Sequence, residues 1–115
     1  MPLDHVALTV SDRERSAVFY GEHFGLTERV HDDEHLLILG DREGSLLALS
    51  EGAAAVGQLP RTNHFGFRLS SPDEVRAARE RFGAAGVTEL EWQDRGPTRV
   101  QVADPDGYRV EVYAF

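Results

Sequence analysis

Two stretches, DHVALTVS at residues 4–11 and NHFGFRLS at residues 63–70, share a pattern and lie 59 positions apart. Each is a run of β-forming residues with a histidine at the same place, His5 in the first and His64 in the second. Each is followed by a capping box, SDRE or SPDE, in which a serine caps a helix and a glutamate reaches back to it. The matched spacing indicates an internal repeat, which determines the fold assignment.

The repeat continues through the rest of both halves. Helical periodicity follows each capping box and ends at a glycine, Gly25 or Gly86, which suits the left-handed position after a helix. Short apolar strands with Gly- and Asp-containing turns come next. We therefore predict an α+β fold of two tandem βαβββ modules within one domain. The modules cover about residues 1–50 and 62–115, and the small-residue segment 51–61 links them.

Strand alternation predicts which side chains share a face. One face of each predicted sheet is apolar and needs the amphipathic helix of its module as a cover. We predict a curved mixed sheet with the helices on its outer face and a cavity on its polar inner face. A solvated polar face is the alternative, since antiparallel sheets often expose one side to water.

The inner face carries a candidate metal site formed by His5, His64 and Glu111. Two imidazoles and one carboxylate suit Fe, Mn, Zn or Ni as divalent ions and leave positions for water or substrate. In the repeat, Ala48 occupies the place that corresponds to Glu111. This leaves two interpretations, an open coordination position or a degenerate site without metal.

Other histidines and inner-face residues are weaker candidates. His23 lies on the predicted first helix, and His31 and His35 flank a charged turn typical of a solvated hairpin. Among these three histidines, His35 is the one substitute ligand, if the third strand reaches inward. Candidate substrate contacts on or near the inner face are Arg68, Arg99, Gln101, Arg109, Tyr113 and Trp92. The arginines could equally pair with nearby carboxylates, and the aromatic rings could equally be core or rim residues.

Composition excludes several classes of partner. The chain has 115 residues, no cysteine and a net charge of −8, with the basic residues scattered singly. Such a charge disfavours nucleic acid and anionic membranes. The N-terminal segment does not read as a signal peptide, and no apolar run approaches the roughly 18 residues of a membrane span. We therefore expect a cytoplasmic protein whose partner is a small molecule.

The motifs LDHVAL at 3–8, HFGF at 64–67 and DPDGYRVEVYAF at 104–115 resemble the vicinal-oxygen-chelate superfamily. The resemblance covers essentially the whole chain. This superfamily includes glyoxalase I, fosfomycin-modifying transferases, extradiol dioxygenases and bleomycin-binding proteins. By the resemblance, His5, His64 and Glu111 fall on the family's metal-ligand positions, and the metal acts as a Lewis acid on a substrate with vicinal oxygens.

The resemblance leaves two functions open. The first is a metal-dependent enzyme such as a lyase, thiol transferase or dioxygenase. The alternative is a metal-free protein of the bleomycin-resistance type, which sequesters a drug or metabolite. Ala48 departs from the glyoxalase pattern and Ala7 from that of the transferases. No catalytic base is evident, since Glu51 is the only nearby candidate and has the setting of a loop residue.

The sequence also leaves the mode of assembly undecided. Each four-stranded module has edge strands with unpaired backbone groups, which must pair with another module. The resemblance implies that two modules close within one chain or across a swapped dimer, and we expect a homodimer.

Overall fold

The computed structural model describes residues 1–115, which divide into two compact units, Met1–Ala55 and Val56–Phe115. Both units contain a strand, a helix and three further strands. In the first unit these are β1 (His5–Val10), α1 (Arg13–Phe24), β2 (Glu28–Asp32), β3 (Leu37–Gly40) and β4 (Leu46–Glu51). In the second they are β5 (Phe65–Arg68), α2 (Pro72–Ala84), β6 (Glu89–Asp94), β7 (Thr98–Ala103) and β8 (Arg109–Ala114). The predicted tandem βαβββ order is confirmed.

Each unit folds its strands into one mixed sheet of four. The first sheet has the order β1-β4-β3-β2, and the second has the equivalent order β5-β8-β7-β6. The pairs β1–β4 and β5–β8 are parallel, and the other neighbours are antiparallel. Because β4 and β8 each lie between two neighbours, the positions of Ala48 and Glu111 are central in their sheets. No helix is long and apolar enough to cross a membrane.

The helices begin and end at residues with clear local reasons. In α2 the Ser71 hydroxyl accepts a hydrogen bond from the backbone N–H of Glu74 at 3.3 Å, as predicted. In α1 the predicted Ser11 cap is wrong. Asp12 is the cap, and its carboxylate accepts from the Arg15 N–H at 3.1 Å. Gly25 follows α1 with a φ of 72°, the left-handed conformation expected of it.

Each helix covers one face of its own sheet. Buried side chains of the first unit include Leu8, Val10, Ala17, Tyr20, Leu37, Leu39, Leu47 and Leu49. Those of the second include Val75, Ala78, Phe82, Val100, Val102, Val110 and Val112. Burying a side chain of the size of valine, leucine or phenylalanine stabilises a fold by about 1.5–3 kcal/mol. The residues that alternate with these strand positions form the opposite side, which we call the helix-free face of each sheet.

Candidate metal centre

The side chains of His64 and Glu111 lie close together in the second unit. His64 precedes the first residue of β5, one position outside the strand on which it was predicted, and Glu111 is the third residue of β8. His64 Nε2 lies 3.7 Å from Glu111 Oε2. This separation is too long for a hydrogen bond. The side chain of Glu111 is only 11% exposed and that of His64 is 37% exposed.

The position of Glu111 depends on a glycine in the neighbouring strand. Gly66 of β5 is the register partner of Glu111, and a Cβ built on it would lie 2.9 Å from the Glu111 carbonyl oxygen. The same Cβ would lie 3.0 Å from Glu111 Cβ. The two backbones therefore approach more closely here than a side chain at position 66 allows.

The Glu111 carboxylate has two donors on β7. Arg99 Nη1 and Gln101 Nε2 each lie 3.3 Å from Glu111 Oε1. Gln101 is the antiparallel register partner of Glu111 and is itself buried. The carboxylate is therefore oriented by its neighbours, with Oε1 toward β7 and Oε2 toward His64.

The donor set and its hydrogen bonds fit a divalent metal ion. His64 Nδ1 lies 2.8 Å from the Thr62 carbonyl oxygen, which can only accept a hydrogen bond. Nδ1 therefore donates to Thr62, and Nε2 is the ring nitrogen left to face Glu111, where it would offer its lone pair to a metal ion. Histidines that bind a metal through one ring nitrogen typically donate a hydrogen bond from the other. Two atoms bound to one ion at about 2.0–2.2 Å lie roughly 3–4 Å apart, a range that includes the observed separation.

His5 belongs to the first unit, where it is the first residue of β1 and the register partner of Leu46. Its Nδ1 lies 2.9 Å from Asp4 Oδ1, and its side chain is 66% exposed. Like His64, it has its Nδ1 paired with an oxygen acceptor. No group of three or more His, Cys, Asp or Glu side chains is gathered in the structure as a metal site. The three-ligand set thus stays a prediction, of which the second unit brings two members together.

A cleft of about 420 Å³ opens beside the pair, entirely within the second unit. Its lining consists of Arg61, Thr62, His64, Glu91, Arg99, Gln101 and Glu111. Arg99 Nη1 also donates to Glu91 Oε2 at 3.0 Å, and Arg61 Nη2 lies 3.3 Å from Glu91 Oε1. The bond from Arg99, with the charges of Arg61 and Arg109, lowers the pKa of the Glu91 carboxyl. The two carboxylates and two guanidinium groups of the cleft balance in charge.

Sequence reasoning did not identify three of these lining residues. Arg61 and Thr62 lie in or next to the predicted linker, where no periodicity marks a side chain as inward. Glu91 shares the face of Gln101 because the two are register partners on neighbouring strands. The register irregularity between Glu89 and Glu91 produces this pairing, and strict alternation along the sequence does not reveal it.

The predicted substrate residues separate into groups. Arg99 and Gln101 line the cleft, and Arg109 Nη1 lies 3.5 Å from Gln101 Oε1. Arg68 and Tyr113 instead contact Phe115, with the Arg68 Cζ 5.1 Å from the ring centroid. Arg68 and Tyr113 are register partners on the helix-free face. Neither residue lines the cleft.

Trp92 lies on a different face of the second sheet from the other predicted substrate residues. It pairs with Val100 on the helix-covered face, opposite the face of Glu111. Its ring stacks beneath Arg79 of α2, with the guanidinium carbon 4.3 Å from the ring centroid. Trp92 does not line the cleft beside His64 and Glu111, and its role as a substrate contact stays a prediction.

The remaining candidates of the first unit have local structural partners. His35 lies in the β2–β3 turn, 84% exposed and 3.2 Å from Glu34. His31 lies on β2, with Nε2 2.7 Å from Asp33 Oδ2. This bond, together with the backbone N–H groups of His35 and Leu36, lowers the pKa of Asp33 to about 2. Glu51 accepts from the backbone N–H of Arg13 at the start of α1, so it acts as a helix-terminal acceptor.

Comparison with known proteins agrees with this geometry. The family model described as the Glyoxalase/Bleomycin resistance protein/Dioxygenase superfamily matches residues 2–112. The chain belongs to this superfamily. It is the group that the sequence motifs resemble, also known as the vicinal-oxygen-chelate superfamily. The match spans both βαβββ units but does not distinguish among the reactions of the superfamily.

Solved structures with the same fold include three informative neighbours. A glyoxalase-related enzyme from Fulvimarina pelagi is 28% identical, with 100% of this chain and 88% of that chain covered and a TM-score of 0.74. Lactoylglutathione lyase from Agrobacterium tumefaciens is 26% identical, with 98% and 92% covered and a TM-score of 0.76. The fosfomycin resistance protein FosX from Listeria monocytogenes is 24% identical, with 100% and 93% covered and a TM-score of 0.84, a likeness of fold alone. No functionally curated protein matches the chain.

Proposed function

We propose that this superfamily member is a divalent-metal-dependent enzyme acting on a small substrate with vicinal oxygens. One ion of Fe, Mn, Zn or Ni would be held by His5, His64 and Glu111. The observation that carries the proposal is the facing of His64 Nε2 and Glu111 Oε2 at 3.7 Å, with each group held by its own hydrogen bonds. The lyase neighbour supports it. FosX, which shares the fold, has been crystallised with Mn(II) and sulfate.

Lewis-acid polarisation of the chelating substrate oxygens is the chemistry that the bound ion supplies. The protein's own groups would bind and orient the substrate. The carboxylates of Glu91 and Glu111 already balance the guanidinium charges of Arg61 and Arg99. The charge of the ion would therefore be in excess within the cleft, and an anionic substrate oxygen would be attracted there. Arg99 and Gln101 both line the cleft, and Arg99 is positioned to contact this substrate oxygen.

Metal content by mass spectrometry tests this proposal. We expect close to one divalent ion per chain in the wild type after reconstitution, and its loss in His64→Ala. His35→Ala is the matched control, because His35 is an exposed turn residue, and it should retain the metal. Absence of stoichiometric metal from the reconstituted wild type would overturn the proposal.

The second candidate function is metal-free binding of a drug or metabolite, as in bleomycin-resistance proteins. One observation favours it, because Arg99 already neutralises Glu111 without any metal ion. The net charge of −8 suits a cationic ligand through long-range attraction. Tight binding of bleomycin to the protein after treatment with a chelator, unchanged in His64→Ala, would support this function over the enzyme.

A homodimer is part of the same proposal. Within each sheet the two outer strands, β1 and β2 or β5 and β6, have one edge unpaired in that sheet. Unpaired edges favour association with further chain segments. Sedimentation velocity would give the mass of a dimer, and a monomeric mass at micromolar concentration would contradict it.

A further inference from the structure

The two oxygens of the Glu111 carboxylate have different surroundings. Oε1 accepts hydrogen bonds from Arg99 and Gln101, each at 3.3 Å. Oε2 faces His64 Nε2 at 3.7 Å, beyond hydrogen-bonding distance. A carboxylate with one oxygen held in this way cannot rotate freely. The remaining oxygen is therefore kept on the side of His64.

Gln101 is itself fixed in the orientation that this requires. It is 3% exposed and lies directly opposite Glu111 in the β7–β8 pair. Its amide oxygen lies 3.5 Å from Arg109 Nη1, a group that can only donate. The amide oxygen thus faces Arg109, and the amide NH2 is directed to Glu111.

The internal repeat offers an independent comparison. In the first unit, Ile38 is the register partner of Ala48, as Gln101 is of Glu111 in the second. The carboxylate and the amide are both present in one unit and both absent from the other. A buried glutamine opposite alanine would lack the acceptor for its N–H group, and such a loss costs stability. The presence of glutamine at position 101 is therefore explained by its acceptor, Glu111, and not by a requirement of this sheet position.

We infer that Gln101 is a positioning residue for the metal ligand Glu111, holding Oε1 so that Oε2 is presented to the ion beside His64. This inference rests on the proposed function. Gln101 is more diagnostic than Arg99, because Gln101 is neutral. Removing Arg99 would also remove a positive charge that repels a cation, and the two effects on metal affinity would oppose each other. Removing the Gln101 amide changes no formal charge in the cleft, and of its two contacts only the one to Glu111 involves a proposed metal ligand.

The test is Mn(II) affinity measured by isothermal titration calorimetry. In Gln101→Met the side chain keeps its length but loses the donor, and we expect the dissociation constant to rise about tenfold or more. Gln93→Met is the matched control. Its amide bonds the carbonyl oxygens of Arg95 and Pro97 and does not contact Glu111. Its affinity should stay within about twofold of the wild type.

Gln101→Asn supplies a second variant that keeps a polar side chain and supports folding if methionine does not. Its amide is one methylene shorter and cannot reach Oε1, so the same loss of affinity is expected. Thermal unfolding of the metal-free variants shows whether the fold is intact. Wild-type affinity in the folded Gln101 variants would overturn the positioning role and leave the proposed function standing. If the wild type itself bound none of Mn(II), Fe(II), Zn(II) and Ni(II) in the same titration, the proposed function would be overturned instead.

Discussion

Replacing Gly66 by alanine tests how closely β5 approaches the strand that carries Glu111. The new Cβ would lie 2.9 Å from the Glu111 carbonyl oxygen and 3.0 Å from Glu111 Cβ, where ordinary contacts are 3.4–4 Å. Neither atom can rotate away, because both belong to the backbone or first side-chain atom of a paired strand. The strands must therefore separate locally by about half an ångström.

The magnitude follows from two opposing effects. Overpacking of this kind costs about 1–3 kcal/mol, and the lower entropy of unfolded alanine returns about 0.4–1 kcal/mol. The repeat argues against the upper end of the cost, since Ala7 occupies the equivalent position opposite Ala48 in the first unit. A cost near the middle of the range, about 2 kcal/mol, less the entropic return of about 0.7 kcal/mol leaves roughly 1 kcal/mol. We expect Gly66→Ala to lower the free energy of unfolding by about 1 kcal/mol, which corresponds to a fall of roughly 4 °C in Tm.

Thermal unfolding followed by circular dichroism measures this change, with Gly83→Ala as the control. Gly83 lies in α2, and nothing lies within 4 Å of a Cβ built on it. Alanine there should raise stability by up to about 1 kcal/mol, because helices disfavour glycine. If Gly66→Ala proves as stable as the wild type while Gly83→Ala is stabilised, the close approach of β5 to Glu111 is refuted.

Two further predictions concern local hydrogen bonds. The pKa of Asp33 is lowered to about 2, first by the bond with His31 and then by two backbone N–H groups. Its carboxylate therefore stabilises the fold above about pH 4, and this contribution is lost as the pH falls toward 2. The difference in Tm between wild type and Asp33→Asn should shrink over that range, and a pH-independent difference would contradict the assignment. Ser71→Ala removes the cap of α2 and should cost about 1 kcal/mol in urea unfolding. An unchanged midpoint would show that the bond to the Glu74 N–H contributes nothing.

The fold was largely predictable because the repeat provides two readings of the same pattern. Histidine-bearing strands, helix-ending glycines and closing strands recur in order, so each half supports the assignment of the other. The error at the start of α1 has a local cause. Ser11 and Asp12 are adjacent and are both good caps, and propensity does not choose between them. The choice depends on where the chain turns after β1.

The site was less predictable because a single extra residue in a strand changes which face the following side chains occupy. Glu89 and Trp92 are three positions apart, yet both contact Arg79 of α2. A regular strand would place them on opposite faces. The irregularity that brings them together leaves no mark in the amino-acid pattern. The same irregularity places Glu91 on the face of Gln101, a position that strict alternation did not predict for it.

The geometry around Glu111 was predictable only in part for a different reason. Alternation predicted that Arg99, Gln101 and Glu111 share a face, which the register confirms for the Gln101–Glu111 pair. Alternation carries no information on which oxygen a donor reaches. That detail depends on side-chain rotamers and on the partners of each donor, such as Arg109 for Gln101.

Counting the imidazole ligands of the bound ion is the most direct test of the central claim that one metal is held by His5, His64 and Glu111. X-ray absorption spectroscopy of the zinc-loaded protein gives this count for the wild type and for His5→Ala. We expect two imidazoles in the wild type and one in His5→Ala, with oxygen ligands making up the rest. A wild-type ion with fewer than two imidazoles, or two imidazoles retained in His5→Ala, would contradict it.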